Sequence, residues 1–448
     1  MVLFKHNCSS FEQTTFKYLQ RFYNGDLKDY YNGRLSNGWA TWDYAIYNAN
    51  YLGINMKELY KNIKICCYAM CASEPEAFID RWLESMKGAD YITVLITKKD
   101  DPNFAYFKKK QELPEFKDKL IIAEKEIKPW RFDVARNESM KLIPNDVDAI
   151  ICTDIDEVLI DDFWDDYRKC VFEHPNFDRI YYRYAWSHDA QGNPANVFWY
   201  DKATQAKGWK WRYPVHEELI CDRDNYKYEG EYNLDANKIY LHHYSDQTKS
   251  RGSYLKLLEL RAEESPEDSY GLFYLQREYS FRQDYENAIK YASQLYARLM
   301  INNDNSYMMK PAVCVSLGIY YNEINLKDES EFFFRRAIEL YPEMRDSYIR
   351  LAQMLVYQGK YKEAYLVIDD MDNNSKYIED WRIQPWCWRK WKRLQILADC
   401  KCWEMKYDEA IQLFKEAYND IVELEDFIEA YNQNFFTDLS WLQQKLGE

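Results

Sequence analysis

No stretch of this chain approaches the roughly 18 consecutive apolar residues that a membrane span requires. The first residues, Met-Val-Leu-Phe-Lys-His-Asn-Cys, lack an apolar signal core and a small-residue cleavage site. Basic charge is also scarce: 59 Lys and Arg face 74 Asp and Glu, for a formal net charge of -15. Phosphate backbones are held by concentrated Lys and Arg, so a nucleic-acid partner is disfavoured. The eleven cysteines are odd in number, scattered and without a Cys-x-x-Cys pair, which favours buried reduced thiols over a disulfide framework. Together these absences lead us to expect a cytoplasmic protein.

A length of 448 residues allows two or three domains, each with its own core. Aromatic residues make up 17% of the chain, with 41 Tyr and 15 Trp. Such side chains suit sugar stacking and protein contacts, and equally the packing of helical hairpins, which accounts for most of them here. Residues 1–62 form an N-terminal extension to which no role can be given. A helix is expected at Phe16–Tyr23, with turns at Asn24-Gly25 and Ser36-Asn37-Gly38.

From Ile63 the pattern becomes an alternation of strands and helices. Strands are expected at Ile63–Met70, Tyr91–Thr97, Leu120–Ala123 and Ala149–Cys152. The segments between them, Glu76–Met86, Phe104–Gln111 and Arg131–Leu142, have helical spacing. That order predicts a parallel Rossmann-like sheet. Right-handed crossovers then place Glu74, Lys98–Asp101 and Asp154–Glu157 along one sheet edge, where open α/β sheets bind their ligands. The fourth strand ends in Thr153-Asp154-Ile155-Asp156-Glu157. Two carboxylates one residue apart at such an edge can hold Mg²⁺ or Mn²⁺ shared with substrate phosphates. A polar strand end with a capping acid looks the same.

After a helix at Asp162–Phe172 the texture turns antiparallel, with strands at Arg179–Trp186 and Val197–Tyr200 flanking Gln191-Gly192-Asn193-Pro194. Further strands are expected at Trp209–Tyr213 and Ile239–Tyr244. Several residues along this stretch are site candidates. Arg136 and Asn137 can hydrogen-bond donor oxygens, and His216 can contact a metal or phosphate. Glu217 or Asp189 can act as general base. His242 or His243 can complete a metal shell. Lys249 and Arg251 can close on a diphosphate. From Ser253 onward strands give way to a repeat. Leu275, Tyr285 and Ala288 recur at the same offsets as Leu351, Tyr361, Ala364 and Leu397, Tyr407, Ala410, with a weaker copy at Leu317, Lys327 and Ser330. Leu317 and Leu351 lie 34 residues apart, the tetratricopeptide period.

Five motifs occur in one order: Ile65–Leu83, Phe132–Asn137, Thr153–Glu157, Pro214-Val215-His216-Glu217-Glu218 and Leu241-His242-His243-Tyr244. Together they resemble family 2-type glycosyltransferases with a tetratricopeptide C-terminus, among them the bacteriocin S-glycosyltransferases of the sublancin type. The resemblance covers about residues 63–430. It implies a GT-A domain at 63–250 (a Rossmann-like mixed sheet) followed by an all-α tetratricopeptide-like helical domain at 251–448. It also implies a nucleotide-sugar donor, usually a UDP-hexose, with Mn²⁺ or Mg²⁺, and inversion at the anomeric carbon. Carried over, Asp154 and Asp156 match the family's Asp-x-Asp, Glu74 the acid after its first strand, Arg136 its Ala-Arg-Asn arginine, and His216-Glu217 its Val-His-Glu. The expected metal ligands are Asp154, Asp156, His216 and His242. Glu74, Lys98, Arg136, Asn137, Asp154, Lys249 and Arg251 are the expected donor contacts.

Two stretches depart from the family pattern. Ser73-Glu74-Pro75 stands for Asn-Glu-Glu, and Ile96-Thr97-Lys98-Lys99-Asp100-Asp101 lacks the Asp-x-x-Ser-x-Asp that helps to read the base. The acceptor is expected to be a peptide, protein or glycan, and the helical domain is a candidate for seating it or for forming a homodimer. Two rival readings are a non-catalytic tetratricopeptide adaptor with a degenerate sugar-nucleotide domain, and a phosphotransferase of the haloacid dehalogenase type. The latter carries its Asp-x-Asp after the first strand, not the fourth.

Overall fold

The computed structural model describes residues 60–189, 191–222, 230–246, 252, 254–301, 308–378, 380, 382 and 384–446. The helix and turns expected before Tyr60, and the candidates Lys249 and Arg251, lie outside them. The chain divides into two compact units, one containing the sheet and one, from Ser250, containing the helical repeats.

The first unit opens with β1 (Ile65–Cys71), α1 (Glu76–Ser85), β2 (Tyr91–Ile96), α2 (Pro102–Gln111), β3 (Leu120–Glu124), α3 (Phe132–Met140) and β4 (Ala149–Cys152). These strands pair in parallel in the order β3-β2-β1-β4, as the alternation predicts. Both faces of the sheet are covered. Ile65, Cys67 and Ala69 of β1, with Ala149 and Ile151 of β4, enter one core cluster with Trp82 and Phe163. The intervening Cys66, Tyr68, Ile150 and Cys152 enter another with Trp209 and Trp211. The period-2 alternation of side chains makes an unbroken apolar run the pattern required here.

The sheet then continues with β5 (Glu157–Leu159), α4 (Asp162–Glu173), β6 (Arg179–His188) and β7 (Pro194–Gln205). Next come β8 (Trp209–Arg212), β9 (Glu218–Cys221), β10 (Glu231–Asn233) and β11 (Ile239–His243). β7 inserts antiparallel beside β4, and the order runs on as β7-β6-β11-β5, with β10 on β6. Three short strands, β5, β9 and β10, are additional to the sequence expectation, and β8 leaves the main sheet to pair with β9. Among the described residues ten cysteines are reduced thiols, nine of them buried. Burial pushes the Cys66 thiol up to about 12, which keeps it inert.

The second unit contains α5 (Tyr254–Glu264) and then helical hairpins. These are α6 (Ser269–Phe281) with α7 (Tyr285–Ile301), α8 (Met309–Glu323) with α9 (Lys327–Leu340), α10 (Arg345–Tyr357) with α11 (Tyr361–Asn374), and α12 (Lys390–Trp403) with α13 (Tyr407–Leu424). The shorter α14 (Phe427–Asn432) and α15 (Phe435–Leu446) follow. The repeat seen in the sequence marks the same point of every hairpin. Tyr285, Lys327, Tyr361 and Tyr407 each begin the second helix. Ala288, Ser330, Ala364 and Ala410 are fully buried one turn further on.

Two residues before each second helix, Gln283, Asn325, Gly359 and Met405 adopt positive φ, between 57° and 78°. The next residue's N–H then bonds back to the carbonyl five positions earlier (Asp284 to Tyr279, Leu326 to Tyr321, Lys360 to Leu355, Lys406 to Lys401, 2.9–3.0 Å). This left-handed helix cap satisfies carbonyls that the helix end would otherwise leave bare. Only Gly359 advertises it in the sequence. The period departs from 34 where residues are inserted, as before α12, where Pro385–Trp388 form a 3₁₀ turn. No helix among the described residues is long and apolar enough to cross a membrane.

Candidate active site

The Asp-x-Asp motif leaves β4 at the carboxyl edge of the parallel strands, beside the ends of β1 and β2. Thr153 fixes its first residue. The Thr153 N–H donates to the Tyr68 carbonyl (3.3 Å), and its hydroxyl accepts from the Trp82 indole of α1 (2.9 Å). The loop after β1 is tied down in the same region. Ser73, at φ 55°, donates from its N–H and hydroxyl to Asp101 Oδ2 (2.8 and 2.9 Å). The Asn103 side chain accepts from the Glu74 N–H (2.6 Å) and donates to its carbonyl (2.9 Å). Lys98, exposed, reaches the Ser73 hydroxyl (3.1 Å). Glu74 and Lys98 thus share one edge, as the crossover argument requires.

The centre of the site is Arg136, only 3% exposed. Its Nη2 donates to Asp154 (3.0 Å), its Nε to Glu217, and its guanidinium stands 4.9 Å over the Trp211 ring. A planar fork between two carboxylates is the arrangement arginine serves best. Lys202 on β7, also buried, brings a second cation to 4.0 Å from Asp154. Burial opposes ionisation of Asp154, yet the Arg136 and Lys202 charges outweigh it and hold the carboxyl well below its ordinary range. The same contest, won again by Arg136 and then Lys202, keeps Glu217 low. Glu157 behaves in the opposite way. Fully buried, it accepts the Asp154 N–H (2.8 Å), and burial plus the Asp154 charge push its pKa up to about 7.

Asp156 faces another partner. Its Oδ2 lies 3.3 Å from His243 Nε2, and its carbonyl accepts the Tyr244 N–H (2.8 Å). His243 Nδ1 lies 3.0 Å from the Trp186 carbonyl. A carbonyl can only accept, so Nδ1 carries the proton and Nε2 is turned toward Asp156. Burial lowers the His243 pKa, but the bond to and charge of Asp156 raise it further, for a net increase.

Several expected roles change with this geometry. His242 is expected beside Asp154, Asp156 and His216 on a metal, with His243 as the alternative. Adjacent residues of a strand face opposite ways, and it is His243 that meets Asp156, while His242 Nδ1 pairs with His188 Nε2 (3.0 Å). Asn137 was expected on the donor. Its amide instead accepts the Trp211 N–H (2.9 Å) and donates to the Trp211 carbonyl (2.8 Å), fastening α3 to β8. Asp154 was expected on the metal, and its carboxylate is engaged by Arg136. Glu217, expected as base, braces the same guanidinium. Asp189 is exposed and closes the β6–β7 turn by accepting the Asn193 N–H (2.8 Å). His216 is exposed at φ 48°, in a β8–β9 connection where Tyr213 also holds φ 77°. Non-glycine residues kept there mark a segment that its surroundings over-determine.

Lys202 is a site residue that the sequence does not announce, because a lone Lys in a strand carries no signal of depth. Its position opposite β4 is a matter of sheet order. Among the described residues no three His, Cys, Asp or Glu side chains converge as a ready-made metal cage. The donor set still fits a hard cation of the kind bound by one or two side chains plus substrate phosphates. Asp156 and His243 offer two adjacent donors. The His243 N–H is anchored on a carbonyl, the outer contact typical of a ligating imidazole.

No family model matches the chain, and no curated protein matches it. Similar solved structures include MamA (16% identity, 39% of this chain and 84% of that one, TM-score 0.30). TTC0263, a thermophilic TPR protein from Thermus thermophilus, is 15% identical over 42% of this chain and 90% of that one (TM-score 0.30). BtubC from P. vanneervenii is 13% identical over 44% and 81% (TM-score 0.35).

Proposed function

We propose that the sheet unit, a GT-A-like domain, is a metal-dependent inverting glycosyltransferase that moves a hexose from a nucleotide sugar such as a UDP-hexose. The observation that carries this reading is the Asp156–His243 pair, with His243 held in the tautomer that turns Nε2 toward the carboxylate. A Mn²⁺ or Mg²⁺ bound there would neutralise charge on the departing diphosphate. Arg136 and Lys202 add fixed positive charge beside it and hold Asp154 ionised, an acceptor for donor hydroxyls. Glu74 and Lys98 flank the nucleotide side of the same edge.

One direct displacement inverts the anomeric carbon while the acceptor loses its proton to a carboxylate. Asp189 is the more available of the two candidates, because Glu217 is clamped on Arg136 and a carboxylate held so low is a weak base. The acceptor is a peptide, protein or glycan, for which the helical unit supplies hairpin surfaces. The test is Mn²⁺-dependent release of nucleoside diphosphate from a panel of nucleotide sugars. Release that disappears in Asp156→Ala supports the reading, and no release from any donor contradicts it.

A second reading has its own observation. Helical hairpins fill the second unit, so the chain can serve as a protein-binding adaptor whose sheet unit is silent. Sugar-nucleotide turnover by the intact chain would exclude that reading. A phosphotransferase of the dehalogenase type would instead release phosphate from p-nitrophenyl phosphate.

A further inference from the structure

Strand β6 carries the aromatic residues Tyr182, Tyr184 and Trp186, and its pairing with β7 shifts register at Trp186, between Ala185 and Ser187. The first two are sealed in the core, at 0% and 3% exposure, whereas Trp186 is 44% exposed. Tyr184 is covered by Tyr200, stacked at 4.4 Å, and by Phe198 edge-on at 5.4 Å. Trp186 stands where that cover ends. Its backbone carbonyl receives the His243 N–H, and its ring lies 6.2 Å from the His243 ring. Beyond a second register shift, His188 stacks on Tyr244 at 4.8 Å, and Tyr244 holds the Asp156 carbonyl through its N–H. A half-exposed indole therefore borders the Asp156–His243 pair.

We propose that the exposed face of Trp186 is the floor of a hexopyranose subsite, an inference that rests on the transferase reading. The C–H face of a sugar ring stacks on an indole, while its hydroxyls need hydrogen-bonding groups close by. His243, whose ring lies 6.2 Å from the indole, and Asp156 beyond it supply those. A wide indole kept uncovered beside buried charge fits a ligand that is apolar on one face and polar at its edge. The backbone contact to His243 ties the floor to the metal pair, so the sugar and the leaving diphosphate are held by one strand end. The same chemistry admits two sources, the hexose of the donor or a hexose of the acceptor.

Calorimetry on the full chain with Mn²⁺ separates them. UDP and UDP-glucose are titrated into the wild type, Trp186→Ala and Trp186→Phe, and methyl β-glucoside into each protein saturated with UDP. Trp186 is exposed, and equal melting temperatures of the three proteins check that the fold is kept. We expect UDP to bind the variants within about twofold of the wild type. UDP-glucose, or the glucoside if the acceptor sugar is the occupant, should weaken about tenfold in Trp186→Ala and recover in Trp186→Phe. If neither sugar ligand is affected while Asp156→Ala still abolishes Mn²⁺-dependent UDP binding, the subsite is overturned and the transferase reading stands. If the wild type binds neither UDP nor the nucleoside diphosphate of any other donor in the panel, both are overturned.

Discussion

The helical unit and the sheet unit treat unfavourable local geometry in different ways. The helical unit uses one left-handed turn five times among its described residues, at Gln283, Asn325, Gly359, Met405 and Glu425, each closed by the same back-reaching hydrogen bond. The sheet unit places left-handed residues singly at Ser73 and Asp100, after β1 and β2, and as a pair, Tyr213 and His216, in the connection next to Glu217. In the repeats the cost is small and serves stacking. In the sheet it sits beside a charge cluster in which Arg136, Lys202 and Glu157 are buried and Asp154 and Glu217 half-buried. Periodic geometry builds a scaffold, and unrepeated departures gathered around one group of ions point to a site.

The largest test of that contrast is Arg136→Ala. It leaves the Asp154 and Glu217 carboxylates without their shared cation and removes the contact to Trp211. A loss of about 3–5 kcal/mol in urea unfolding of the sheet unit is expected. A loss below about 1 kcal/mol would show that the cluster is no more than a solvated surface pair.

In the helical unit the expected effects are smaller and of opposite sign. Met405 is 75% exposed at φ 57°, so Met405→Gly relieves a left-handed penalty and should stabilise by up to about 1 kcal/mol. A destabilised Met405→Gly would mean that the Met side chain, not the backbone, sets this turn.

The smallest effect concerns the polar seam between α12 and α15. Lys392 Nζ donates to Gln395 Oε1 (3.1 Å), and Gln395 Nε2 in turn donates to Asp438. Burial, then the Asp438 charge, raises the Asp399 pKa well above its ordinary value. Burial likewise lowers Lys392 to about 8. A carboxyl raised in the folded state costs stability once the pH exceeds its unfolded value near 4, and the cost grows until the folded pKa is passed. Asp399→Asn should therefore raise the melting temperature by a degree or two at pH 8 and change it little at pH 4. An equal shift at both pH values would remove charge as the cause.

Much of this architecture is readable in the sequence because it depends on period. Four apolar runs alternating with helical spacing mark the parallel strands, and the Leu-Tyr-Ala offsets mark the start of every second helix. What escapes depends on contacts between distant segments. β5 and β10 are three residues each, too short for a period. Lys202 enters the site through the pairing of β7 with β4. Nothing in Leu241-His242-His243-Tyr244 says which imidazole faces Asp156, since that is decided by how β11 lies between β6 and β5. Arg136 and Glu217 are readable as site residues, but their mutual pairing is not, and it changes Glu217 from base to brace.

The most direct measurement is Mn²⁺ binding in the presence of UDP, followed by electron paramagnetic resonance, for His243→Ala and His242→Ala side by side. His243→Ala is expected to lose tight Mn²⁺ binding, as Asp156→Ala does, while His242→Ala keeps it. Loss in His242→Ala with retention in His243→Ala would contradict that expectation.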